Sequence, residues 1–205
     1  MNFTESERAA LADLLHRVGP DHPTLCGDWT TKDLAVHLLV REHRPDAAAG
    51  MFVGALGGLL DTVSAEYAAL PYDEIVDRWA AGAPRWNPFS FADKWLNAAE
   101  NFVHHEDVRR AEGEWTVRPM SPGGVRSLWK VLQMLAPRML SKSTATVVLQ
   151  RPDGAAITPV DRGVEGAPVV TVRGEVGELV LWLYGRDAAE VEIDGDASAV
   201  RRATL

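Results

Sequence analysis

One cysteine, Cys26, stands alone in 205 residues, so no disulfide can form within the chain. A reducing cytoplasm is therefore the expected compartment. Long apolar runs are missing as well. No stretch of 18 apolar residues occurs, and the longest weakly polar run, AAAGMFVGALGGLL, is short and rich in glycine, so no membrane span is expected. Positive charge is in deficit: 21 Lys and Arg stand against 29 Asp and Glu, for a net charge of −8. The basic residues are scattered, and pairs such as Arg109-Arg110 and Arg201-Arg202 are too short to form a patch. General affinity for nucleic acid or anionic membrane needs clustered positive charge, and neither partner is expected. The start MNFTESERAA places polar and acidic residues where a secretion signal carries its apolar core. Repeats and low-complexity tracts are absent.

What remains is an ordinary globular composition, 46% hydrophobic and 24% charged, in a length that allows one large domain or two small ones. Seven tryptophans are many for this length and suit either a core or an aromatic-lined crevice.

The first half reads as helices. Thr4 with Glu7 fits a capping box, and Leu11, Leu14, Leu15 and Val18 follow at helical spacing until Gly19-Pro20. Thr30 with Asp33 opens a second helix that stops near Arg44-Pro45. A third is expected over about 46–69, weakened by Gly54, Gly57 and Gly58. A short fourth covers 70–80, GAPRWNPFS is a loop, and a long helix runs from about 91 to 112, ended by Gly113. Four main helices with polar groups projecting inward describe a bundle. After about residue 115, Pro119, Pro122 and Gly123-Gly124 mark a linker, followed by a helix over 124–140. TATVVLQ, AAITPV and PVVTVRG then read as strands, EVGELVLWLYGR as a helix and AEVEIDGD as a last strand. Two domains are expected, 1–117 helical and 118–205 a small α+β unit, in a mixed α and α+β chain.

Chemistry concentrates in AAENFVHHEDVRR. Glu100, His104 and Asp107 lie at i, i+4 and i+7, which stacks them on one helix face. His37 sits within the amphipathic helix WTTKDLAVHLLVRE. One histidine from the second helix, with Glu100 and His104 from the long one, makes a three-ligand set with a position left open, the count of a catalytic metal site. His₂Glu favours Zn²⁺, while Ni²⁺, Fe²⁺ and Mn²⁺ also accept imidazole and carboxylate. Each residue also has a plainer reading: His37 as a core histidine, and Glu100 with His104 as a solvated pair worth a few tenths of a kcal/mol. Asp107 either orients an imidazole through its free N–H or pairs with Arg109 or Arg110. His105, rotated by about 100°, should leave the ligand face. Asp33 either supports His37 or serves the helix start. Cys26, with Asp28 rather than a cation nearby, reads as a small buried residue. Trp86, Phe89, Phe91 and Trp95 either line a crevice or pack loop on bundle. Arg186, closing its helix, reads as a cap on the last carbonyls.

The pattern W-T-x-x-D-L-x-x-H-L from Trp29 to Leu38, followed by E-x-x-x-H-x-x-D from Glu100 to Asp107, resembles the mycothiol-dependent maleylpyruvate isomerase family. That family belongs to the DinB-like metal-binding helical bundles. L-W-L-Y-G-R and E-V-E-I-D-G-D resemble its second domain, which is similar to sterol-carrier domains. FVHHEDVRR looks like an actinobacterial branch described only as metal-binding. The resemblance implies a DinB-like four-helix bundle in front of a sterol-carrier-like domain. It also implies His37, Glu100 and His104 as metal ligands, mycothiol as a thiol cofactor bound as thiolate at the open position, and Arg186 as a residue of the substrate cleft. The expected function is a metal- and thiol-dependent isomerase or S-transferase acting on small electrophiles. Its expected partners are a small-molecule substrate and a low-molecular-weight thiol, and the chain is a monomer or homodimer. The alternatives are a metal-dependent hydrolase of a thiol conjugate and a non-catalytic binder of metal or a small ligand.

Overall fold

Asn2 starts the first helix. Its side chain accepts from Glu5 N at 3.0 Å, and Glu5 returns the bond to Asn2 N at 2.9 Å. The capping box thus sits two residues ahead of the expected Thr4–Glu7 pair. Asparagine caps as well as threonine, and Glu7 turns into the core instead. The computed structural model describes residues 2–51, 53–84, 94–163 and 166–203. Among them are eight α-helices and a four-stranded sheet, a mixed α+β architecture. The chain divides into two compact units, Met1–Trp115 and Thr116–Leu205.

In the first unit α1 (Phe3–Val18) is followed by α2 (Thr31–His43), opened by the expected Thr30–Asp33 box. The helix expected over 46–69 is broken. A short α3 (Pro45–Ala48) gives way to two 3₁₀ turns, and α4 (Gly57–Ala68) starts afresh. Gly50 is required at the break, because a Cβ there would meet Leu56 O at 2.6 Å and Leu60 Cβ at 2.9 Å. Then come α5 (Tyr72–Ala80) and α6 (Lys94–Arg109). Helix α1 packs along α6, α2 against α4 and α5, and α1 also against α5. Leu11, Leu15, Leu34, Leu38, Ile75 and Trp79 lie fully buried between them. Arg8 ties three helices: it donates to Glu42 Oε1 on α2 and to the carbonyl of Trp79 on α5, each at 2.7 Å.

The second unit begins with α7 (Pro122–Met139), capped by Ser121 with Pro122 in its first turn. The strands β1 (Thr146–Gln150), β2 (Ala156–Val160), β3 (Val169–Arg173) and β4 (Glu192–Asp194) lie in the order β2-β1-β3-β4. β1 pairs antiparallel with β2 and parallel with β3, and β3 pairs antiparallel with β4. Pro159 falls on the edge strand β2, where a missing N–H costs least. Between β3 and β4, α8 (Val176–Leu183) is buried at every residue, as its almost wholly apolar sequence requires. Among the described residues, no helix is long and apolar enough to cross a membrane.

Candidate metal centre

Helix α6 is buried along its whole second half, from Asn101 to Val108. Four consecutive ionisable residues, His104 to Asp107, therefore each need a partner. His105 finds Glu7 on α1, with Nδ1 3.1 Å from Oε2. Glu106 accepts from Arg109 and Arg110 one turn on, and Arg110 also stacks on Trp115 with its guanidinium carbon 4.1 Å from the ring centre. His105 thus ties the helix to α1, while Glu106 pairs with the arginines at the helix's own C-terminal end. The other two, His104 and Asp107, point elsewhere.

His104 meets Glu100 and His37. Its Nε2 lies 3.4 Å from Glu100 Oε2, and its ring stands edge-on to His37 with centroids 5.5 Å apart. One ligand atom from each of the three lies within 4.8 Å of the others. Donors bound tetrahedrally at about 2.0–2.1 Å stand roughly 3.3–3.4 Å apart, the separation seen for His104 and Glu100. The three side chains are thus a candidate site for a divalent ion. Trp29 covers one side of His37, centroids 5.1 Å apart, and is itself 39% exposed. Arg41 reaches to 3.9 Å of Glu100 Oε2 while donating to Asn97.

Behind His104 sits a second group. Its Nδ1 lies 3.0 Å from Asp107 Oδ2, and an ionised carboxylate only accepts, so Nδ1 carries the proton and Nε2 faces His37 and Glu100. Asp107 is wholly buried, and Glu106 accepts from both Arg109 and Arg110. The thiol of Cys26 donates to the same Asp107 oxygen at 3.1 Å and lies 3.7 Å from His104 Nδ1. Cys26 is thus half-buried beside the cluster rather than an isolated packing residue. No local pattern in TLCGDW announces this, since His104 is 78 residues away. Asp33 belongs to the helix start, accepting from Thr30 N and Oγ1.

Electrostatics separate the two histidines. Burial, reinforced by the charge on His104, pushes His37 down to about 4, so it is neutral at physiological pH. For His104 burial works downward, yet hydrogen bonds to Asp107, Cys26 and Glu100 hold it well above 6.5. Burial alone would raise Glu100; the His104 hydrogen bond and the nearby Arg41 bring it down to about 2.

Arg186 lies in the second unit, just past α8, where it donates from Nη1 to the carbonyl of Tyr184 at 2.9 Å. That bond caps the helix end. Trp86, Phe89 and Phe91 fall outside the described residues, as does the Trp95 side chain.

No family model matches this chain, and no curated protein matches it. Among solved structures it is similar to the crystal structure of a mycothiol-dependent maleylpyruvate isomerase, with a TM-score of 0.59 and 16% identity over 98% of this chain and 92% of that one. A histidine-to-alanine mutant of such an isomerase matches with the same TM-score and coverage at 14% identity. At these identities the likeness is one of fold: the chain has a fold similar to that of the mycothiol-dependent isomerase.

Proposed function

We infer that this chain is a divalent-metal- and thiol-dependent isomerase or S-transferase acting on small electrophilic substrates. The observation that carries this is the convergence of His37, Glu100 and His104, with Asp107 holding the far nitrogen of His104. The fold likeness to a mycothiol-dependent isomerase supports it. The donor set fits a divalent ion in type, number and spacing. Bound there, such an ion supplies the Lewis acidity that favours thiolate over thiol, and a thiolate is the nucleophile for a carbon conjugated to a carbonyl. The protein's own part lies in orientation. Asp107 holds the His104 proton on Nδ1, so that the proton given up to a metal is the one on Nε2. Burial keeps His37 neutral, and Arg41 helps keep Glu100 ionised.

The same reading takes zinc as the ion and mycothiol as the thiol. It takes residues 1–117 as a DinB-like four-helix bundle and 118–205 as a sterol-carrier-like domain. Arg186 would then be a clamp for a substrate carboxylate, for which its guanidinium has to leave the Tyr184 carbonyl. The test is turnover by the zinc-loaded protein with mycothiol, maleylpyruvate and a panel of related electrophiles. Isomerised product or a thiol adduct is expected. No turnover across the panel by protein that holds its metal contradicts the reading, and release of thiol from a mycothiol conjugate would assign a hydrolase instead.

A pH signature follows from the two histidines. In the metal-free protein at pH 7, His104 is charged and has to give up the Nε2 proton to become a ligand, whereas His37 is already neutral. About one proton per ion should therefore be released. Affinity should fall as the pH drops below the raised pKa of His104, and His37 adds to the fall only as the pH approaches 4. Calorimetric titration in two buffers of different ionisation enthalpy reads the proton count; a count of zero at pH 7 would exclude a charged His104 as a ligand.

A further inference from the structure

The loop from Pro20 to Thr30 touches both ligand-bearing helices of the candidate centre. At its start and end it is tied to α2: Lys32 N donates to Pro20 O at 3.0 Å, Thr31 N donates to His22 O at 2.8 Å, and Pro23 and Thr30 form an antiparallel bridge. In its middle it is tied to α6, where Leu25 N donates to the backbone carbonyl of Asp107 at 3.0 Å. Its own turn is held by Thr24, whose hydroxyl accepts from Cys26 N at 3.1 Å and donates to Trp29 O at 2.9 Å. Two side chains reach from this loop toward the cluster. Trp29 lies on the ring of His37, and Cys26 donates to Asp107.

The geometry points to Cys26 as a positioning residue: its thiol holds Asp107 in the orientation that aims His104 at the metal, without being a ligand itself. This rests on the reading of His37, Glu100 and His104 as the metal ligands. The distances separate the two roles. Cys26 Sγ and His104 Nδ1 approach Asp107 Oδ2 to 3.1 and 3.0 Å, which are hydrogen-bond lengths from two donors converging on one acceptor oxygen. A carboxylate oxygen fixed by two donors has little freedom to rotate away from either. The nitrogen of His104 that faces Glu100 is the opposite one, so an ion held by the three ligands is separated from the sulfur by the imidazole ring. Partners that orient a ligating imidazole typically change metal affinity by about 10–100-fold when removed. Cys26 acts one step further out, and about tenfold is the expected effect.

The experiment is titration of the full chain with Co²⁺, followed by absorption, for the wild type and for Cys26→Ala, Cys26→Ser and Asp107→Asn. The wild type should bind one ion with visible d–d bands and no sulfur-to-cobalt charge-transfer band in the near ultraviolet. Cys26→Ala should bind about tenfold more weakly, and Cys26→Ser, which keeps an O–H donor, should recover most of that loss. Combined with Asp107→Asn, Cys26→Ala should add little, because both act through one carboxylate. Circular dichroism of the metal-free variants checks that each is folded. If Cys26→Ala destroys the fold, the serine variant and the charge-transfer region still decide the matter. Equal affinity in Cys26→Ala and wild type overturns the proposal while leaving the metal site standing. A strong charge-transfer band in the wild type, lost in Cys26→Ser, also overturns it by making sulfur a ligand. A wild type that binds no ion overturns both this role and the metal reading.

Discussion

Replacing His104 with alanine should lower affinity for a divalent ion by about a thousandfold or more and reduce thiol-dependent turnover to background. An ion with three protein ligands draws its binding free energy from few bonds. Loss of one costs on the order of 4 kcal/mol, or roughly three decades in Kd. His104 should be the most sensitive of the three because its ring contributes twice. Nε2 faces His37 and Glu100, and Nδ1 engages Asp107. His37→Ala should weaken binding comparably but leave the Asp107 arrangement in place. The fold should survive both changes, since His104 keeps a little exposure and His37 lies at the margin of the core. Removing His104 also deprives the buried Asp107 of one donor, a cost of about 1–3 kcal/mol, so a moderate drop in the unfolding midpoint is expected with it. Metal titration with circular dichroism on the same samples separates the two effects. Full metal affinity in His104→Ala would remove that residue from the site.

The largest expected loss of stability lies two residues further along. Glu106 and Arg110 form an ion pair in which both side chains are essentially out of solvent, and Arg109 joins from the same helix. Changing Glu106 to glutamine keeps the shape but removes the negative charge against a buried guanidinium. Breaking one side of such a pair typically costs about 3–5 kcal/mol. That is a large share of the stability of an ordinary domain. The stacking of Arg110 on Trp115 holds the guanidinium in place, so it cannot simply swing into water. Denaturant unfolding should show this loss. Metal affinity measured well below the transition should stay within a few-fold of wild type, because Glu106 does not face His37 or Glu100. A stable Glu106→Gln protein with impaired metal binding would reverse the roles assigned to adjacent residues of one helix.

The contrast between Glu106 and Asp107 marks what a sequence can and cannot convey. Spacing along a helix places Glu100, His104 and Asp107 on one face, and it turns His105 away, because both follow from the 3.6-residue period. The Thr30–Asp33 start of α2 is equally local, and so are the turns around β1, β2 and β3. Partners distant in the chain are not written in any local pattern. Glu7 meets His105 across 98 residues, and Cys26 meets Asp107 across 81. Both depend on how α1 and the Pro20–Thr30 loop lie against α6. The N-terminal cap is ambiguous for a different reason: Asn2 with Glu5 and Thr4 with Glu7 both satisfy the same rule, and only the actual start of the helix chooses between them. In the 46–69 segment the glycines signal weakness. The break itself follows from the close approach at Gly50, which needs the packed backbone to be seen.

The most direct measurement is the metal content of the purified wild-type chain by elemental analysis, beside a His37→Ala, His104→Ala double variant whose fold is verified by circular dichroism. The account predicts about one equivalent of a divalent ion in the wild type, retained through dialysis, and none in the double variant. A folded wild type that carries no metal and takes up none on titration with Zn²⁺, Co²⁺, Ni²⁺ or Mn²⁺ would contradict it.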